Sequence, residues 1–81
     1  MSPPLTIQLN GQQRTLDSLE SPSLLSLVIN ALELKADRIA VEHNGEIVTR
    51  TAWPQAQIAT GDRLEIVHFV GGGLEEAGLS R

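Results

Sequence analysis

The chain predicts an α+β fold, one main helix packed on a mixed sheet in the order β-β-α-β-β-β, and three observations carry that expectation. Two Asn-Gly dipeptides, Asn10-Gly11 and Asn44-Gly45, each follow a short apolar run and mark hairpin corners. Between them, Leu24, Leu25, Val28, Ile29 and Leu32 repeat at helical spacing. A last apolar run, Leu64 to Val70, follows a turn at Thr60-Gly61-Asp62. Strands grouped around a single amphipathic helix form a sheet with one covered face.

Each element has its own signal. Leu5, Ile7 and Leu9 alternate with Thr6 and Gln8, the period of a half-buried strand. The first Asn-Gly turns this strand into a partner running from Gln12 to Leu16. Ser21-Pro22 reads as a helix start, a hydroxyl N-cap followed by proline at the first helical position. The helix then covers Ser23 to Leu34, with Leu27 broadening its apolar face and Lys35 at the dipole's negative end. Ile39 and Val41 open a third strand, and Ile47 and Val48 continue it beyond the second Asn-Gly. Thr51 to Ile58, with Trp53-Pro54 inside, lacks a period and is expected to be irregular or 3₁₀, with Trp53 capping one end of the core. Arg63 to Val70 is the last strand, and Asp62 shapes its turn while Gly61 supplies positive φ.

Composition narrows the chemistry. Eighty-one residues make one small domain, which buries only about 60% of its unfolded surface. Phe69 and Trp53 are the only aromatics, so the core must be aliphatic. There is no cysteine, which excludes a thiolate nucleophile, a persulfide, a Cys-ligated zinc and an iron–sulfur cluster. The net charge of −4 is spread along the chain without a basic cluster, so nucleic acid is not an expected partner and a basic docking site on another protein is. No signal-peptide pattern occupies Met1–Leu19, and no apolar run reaches the length of a membrane span. A soluble cytoplasmic protein is the expectation.

The candidate site lies where the last strand runs into Gly71-Gly72-Gly73. Three glycines give an arm that no Cβ hinders and that an enzyme's narrow cleft can admit. If Leu64 and Ile66 face the helix, Glu65, Val67 and Phe69 project from the open side of the sheet; with Val70 they form the candidate partner-binding surface. The alternative for Phe69 is to fold over the sheet edge as core. His43 and His68 have neither cysteines nor helical spacing beside them; His43 is expected to be a solvated turn flank and His68 a structural strand-end residue. No catalytic residue and no metal site is expected. The glycines are not a phosphate-binding loop, since no Lys-Ser/Thr follows them.

The segments Val41-Glu42-His43-Asn44-Gly45-Glu46-Ile47-Val48, Trp53, and Gly61-Asp62-Arg63-Leu64-Glu65-Ile66-Val67-His68-Phe69-Val70-Gly71-Gly72-Gly73 together carry a family resemblance. The chain resembles the sulfur carrier proteins of thiamine (thiazole) biosynthesis, ThiS-like members of the ubiquitin-like β-grasp family. That resemblance implies a β-grasp domain over 1–70, a glycine arm over 71–73 and an extension over 74–81. It implies a carrier and not an enzyme. The terminal carboxylate of Gly73 would be adenylated by an E1-like adenylating enzyme using ATP, with no cofactor bound by the carrier. A sulfur donor such as a cysteine desulfurase would convert it to a thiocarboxylate, and thiazole synthase would receive the sulfur. A chain without cysteine must hold sulfur elsewhere, and a carboxylate becomes a useful electrophile only once a leaving group such as AMP is attached.

Family members normally stop at the glycines, whereas Leu74 to Arg81 leaves Gly73 in an internal peptide bond. The extension is expected to be removed by a processing protease and to disable the carrier until it is cut. It is otherwise foreign to the natural chain, or the mark of a protein that kept the fold and lost the role. Two further functions stay open: a sulfur carrier for another product, such as molybdopterin or an amino acid, and a non-covalent β-grasp interaction module. A protein-conjugating modifier is less expected than small-molecule sulfur transfer.

Overall fold

The computed structural model describes residues 3–69. Both Asn-Gly corners form as the sequence predicts. Strands β1 (Pro4–Leu9) and β2 (Gln12–Glu20) pair antiparallel around Asn10 and Gly11, whose φ angles are 49° and 83°. Two successive positive φ values give the type I′ twist that two-residue hairpins require. Strand β2 runs past the expected end at Leu16, with a register irregularity opposite Pro4 and Leu5. Leu5, Ile7 and Leu16 turn inward, and the hydroxyls of Thr6 and Thr15 meet on the opposite face at 3.0 Å.

The helix is shorter than the periodicity predicts, and both ends have long-range causes. A two-residue strand β3 (Ser23–Leu24) precedes α1 (Leu25–Ala31). Ser21 and Pro22 do not cap the helix; its N-cap is Leu24, with no side-chain cap. The first-turn N–H groups donate instead to carbonyls remote in sequence, Leu25 to Ala56 at 2.8 Å and Ser26 to Trp53 at 3.3 Å. These bonds satisfy two of the first-turn donors that a capping side chain would otherwise serve. Ser21 Oγ accepts from the Thr60 N–H instead. At the other end, Leu32 is the C-cap and Glu33 stands at φ 60°. Glu33 N–H donates to Asn30 and Leu34 N–H to Ile29, the two bonds of a Schellman motif, so Leu32 to Leu34 close the helix and do not extend it.

A 3₁₀ turn (Ala36–Arg38) leads into β4 (Ile39–His43), which pairs antiparallel with β5 (Glu46–Val48) around Asn44 and Gly45 at φ 52° and 91°. The aperiodic stretch holds a 3₁₀ turn at Arg50–Ala52, as expected, and then an unexpected short strand β6 (Gln57–Ile58) that pairs with β3. The last strand, β7, is Arg63–His68; its expected end at Val70 lies outside the described residues.

The five main strands form one mixed sheet in the order β2-β1-β7-β4-β5, with β7 parallel to β1 and antiparallel to β4. Leu25, Val28 and Ile29 of α1 pack on one face against Leu5, Ile7, Ile39, Val41, Leu64 and Ile66. Ile58 and Trp53 complete a core that is otherwise aliphatic and holds no polar side chain among the described residues. Trp53 is 4% exposed and donates its indole N–H to the Val48 carbonyl at 2.9 Å, closing the core beside β5 as a large aromatic with a polar handle can. This is the α+β arrangement the sequence predicts, with the open face of the sheet turned away from the helix.

Candidate functional site

Strand β7 is the middle strand of the sheet, held by β1 and Asn10 from Arg63 to Ile66 and by β4 along its length from Leu64 to His68. Leu64 and Ile66 are buried against the helix at 0% and 7% exposure, while Glu65 is exposed and Val67 is 52% exposed on the open face. Ala40, Glu42, Ile47, Arg63, Glu65 and Val67 line a shallow groove of about 380 Å³ there. Ile47 is 67% exposed, a contributor the sequence reading passed over. Its signal was available: if Val48 faces inward opposite Val41, Ile47 must face out.

Phe69 departs from the expectation that it shares this face. It is half-buried and lines a separate recess of about 320 Å³ with Glu33, Leu34, Lys35, Arg38 and His68, and it is not core either. The last ladder pair is Ile39 with His68, so strict alternation ends there; the Phe69 N–H then donates to the Arg38 carbonyl at 2.8 Å. Val70, Gly71, Gly72 and Gly73, and the extension over 74–81, lie outside the described residues.

The two hairpin asparagines fasten β7. Asn10 ends β1, and its side chain takes the place of the next residue of that strand: Oδ1 accepts from the Ile66 N–H at 2.7 Å and Nδ2 donates to the Ile66 carbonyl at 3.3 Å. Its backbone N–H donates to Leu64 at 2.9 Å. Asn44 holds the other end. Its Oδ1 accepts from the Arg63 N–H at 2.8 Å, and its backbone N–H donates to the Arg63 carbonyl at 2.9 Å. The sequence predicts both residues only as turn formers; their second role needs the sheet order.

The corner before β7 is closed by a hydrogen bond between side chains. His43 is not a solvated turn flank: its Nε2 lies 2.7 Å from Asp62 Oδ2, and each side chain is 21% exposed. The same carboxylate oxygen accepts the Ala59 N–H at 2.9 Å, and Gly61 at φ 97° turns the chain, so Asp62 shapes its turn as expected. Burial alone would raise the Asp62 carboxyl. The Ala59 N–H, the bonds from His43 and Asn44 and the nearby histidine charge outweigh it and hold the group below the ordinary carboxylate range.

No cluster of three or more potential metal ligands is present among the described residues, and no helix there is long and apolar enough to cross a membrane. What these residues build is a central strand pinned at its first and fourth residues, with an exposed face beside it.

Known proteins share this construction. The chain is 30% identical to the thiamine biosynthesis protein ThiS of Geobacter metallireducens, whose crystal structure it matches with a TM-score of 0.73 over 85% of this chain and 100% of that one. It is 32% identical over 73 residues to a thiazole synthase of Paramagnetospirillum magneticum, a match covering 90% of this chain and 22% of the synthase. An uncharacterized protein, ycf40 of Pyropia yezoensis, is 30% identical over 85% of this chain and 93% of its own length. The chain spans about a fifth of the length of the thiazole synthases it matches. The ThiS family matches residues 7–73, from within β1 through the third glycine, and the chain belongs to that family, with its ubiquitin-like β-grasp fold.

Proposed function

We propose that this protein is the sulfur carrier of thiazole formation in thiamine biosynthesis, and that Gly73 is its working end. The observation that carries the reading is the family match through residue 73, which ends with the glycines and leaves out the last eight residues of the chain. In this reading residues 1–70 are the folded carrier, 71–73 the arm and 74–81 a segment removed by a protease. The exposed Gly73 carboxylate attacks the α-phosphorus of ATP on an E1-like adenylating enzyme, releasing pyrophosphate and becoming an acyl adenylate. A persulfide made by a donor such as a cysteine desulfurase displaces AMP, a thiol reductant cleaves the resulting acyl disulfide to the thiocarboxylate, and the thiocarboxylate is delivered to thiazole synthase.

The division of labour fits the carrier's structure. A carboxylate needs an activating enzyme, and the carrier has only to bring its end into that enzyme's cleft. A middle strand pinned on both sides delivers the arm from a fixed point, and Glu65 and Val67 beside it offer a face for docking. Thiazole synthases that contain a stretch like this chain support thiazole as the acceptor over another sulfur product.

Intact mass of the untagged protein, expressed from its own gene in its native host, tests the reading. The expected result is a species ending at Gly73, with a satellite heavier by exchange of one oxygen for sulfur. A single species ending at Arg81 that never acquires sulfur overturns it in favour of a non-covalent module.

A further inference from the structure

The open face carries an arrangement that the sheet does not need. Glu42 of β4 and Glu65 of β7 are direct cross-strand partners. Both project away from the helix, because Val41 and Ile66, and Leu64, take the inward positions. Opposite residues of an antiparallel pair hold their Cβ atoms about 5 Å apart, and like charges placed there destabilise the sheet. Arg63 lines the same groove, but among the described residues the one ion pair is His43 with Asp62, so Arg63 neutralises neither glutamate. On the other side of Glu42 stands Ile47, 67% exposed, and next along β7 stands Val67, 52% exposed, opposite Ala40. Two carboxylates thus sit between two exposed aliphatic side chains on the strand that leads to the arm.

We propose that Glu42 and Glu65 together receive one arginine of thiazole synthase, with Ile47 and Val67 packing against apolar side chains around it. This rests on the reading of the protein as the carrier of thiazole formation. A guanidinium is planar and has five donors, so it can bond two carboxylates at once where a lysine ammonium acts as a point charge. The apolar rim excludes water on docking, and that strengthens the charge-assisted bonds beneath it. The synthase is the chosen occupant because some synthases contain a stretch like this domain within their own chain. Linkage in one chain raises the effective concentration of the two parts for each other, which places this domain's surface against the synthase.

The test uses the full chain and the thiazole synthase encoded in the same genome. Calorimetry compares the wild type with the Glu42→Gln/Glu65→Gln double variant, and thermal unfolding of each free protein serves as the folding control. The expected result is at least a tenfold loss of affinity in the double variant, with a thermal midpoint unchanged or raised by about 1–4 °C. Added salt should weaken wild-type binding and leave the variant's residual binding nearly unchanged. Equal affinity of variant and wild type overturns the proposal. So does failure of the wild type to bind the synthase, or sensitivity confined to the adenylating enzyme. A lowered thermal midpoint overturns it too, because the glutamates would then serve the fold. None of these outcomes touches the carrier reading, which stands or falls on sulfur at Gly73 in the mass measurement.

Discussion

The two Asn-Gly corners are the same dipeptide in the same turn, and both hold β7, yet they do so with different atoms. Asn10 uses its backbone N–H on Leu64 and, in addition, both ends of its side-chain amide on Ile66, deep along the strand. Asn44 uses one side-chain oxygen and its own backbone N–H on Arg63, at the exposed start of the strand. At the first corner a side chain imitates a peptide unit where β1 has ended; at the second it adds one bond to a ladder that the backbone already makes. The lesson is that identical turn chemistry can be structurally unequal, and that the inequality lies in what water can replace.

That difference is open to measurement by urea unfolding. The largest expected effect is for Asn10→Ala. It leaves the part-buried Ile66 N–H and carbonyl without partners and places alanine at positive φ, at a cost of about 2–3 kcal/mol. Asn44→Ala should cost about 1–2 kcal/mol, because the backbone bond to Arg63 survives and solvent reaches the exposed Arg63 N–H. Equal losses at the two corners would break the comparison.

Glu33, the remaining non-glycine residue at positive φ among those described, sharpens it further. It closes the helix through its backbone and shows no side-chain bond that would compensate for its conformation. Glu33→Gly should therefore stabilise the protein by about 1 kcal/mol, whereas the same change at Asn10 should destabilise it.

The smallest effect concerns the His43–Asp62 corner beside Asn44. The folded Asp62 carboxyl lies below its unfolded value, so its contribution is present above the unfolded pKa and is lost as pH falls through the lower folded one. Asp62→Asn should thus flatten the loss of stability on acidification below about pH 4 and reduce stability modestly near neutrality. Urea midpoints followed across that range decide it; an unchanged acid limb would mean the His43–Asp62 pair does not couple to folding.

Features governed by neighbours in sequence were legible before any coordinates. The alternation of Leu5 and Ile7, both Asn-Gly turns, the helical spacing of Leu25, Val28 and Ile29, and the inward set Leu64 and Ile66 are all local patterns. What was not legible depends on partners remote in the chain. Ser21-Pro22 has the composition of a helix start, but Ala56 and Trp53 supply the acceptors that make a cap unnecessary. Strands β3 and β6 are two residues each and exist only because they meet one another. His43 gains its role from Asp62, nineteen residues on. At the candidate site, Glu65 and Val67 followed from period two, while Phe69 escaped it because the ladder ends at His68.

The bond from the Phe69 N–H to the Arg38 carbonyl makes the protein a ruler. From that anchored nitrogen the chain runs five residues, Phe69 to Gly73, and an extended chain spans at most about 3.6 Å per residue. In the proposed reading the working carbon of Gly73 therefore reaches no farther than about 18 Å from that nitrogen. Drawing the arm harder yields no extra length, because a pull along β7 loads its bonds to β1 and β4 in shear, all together and not one by one. An enzyme acting on Gly73 as proposed would have to hold its reacting atoms within that depth of its own surface, so this domain would set the dimension to which its partners' clefts are cut.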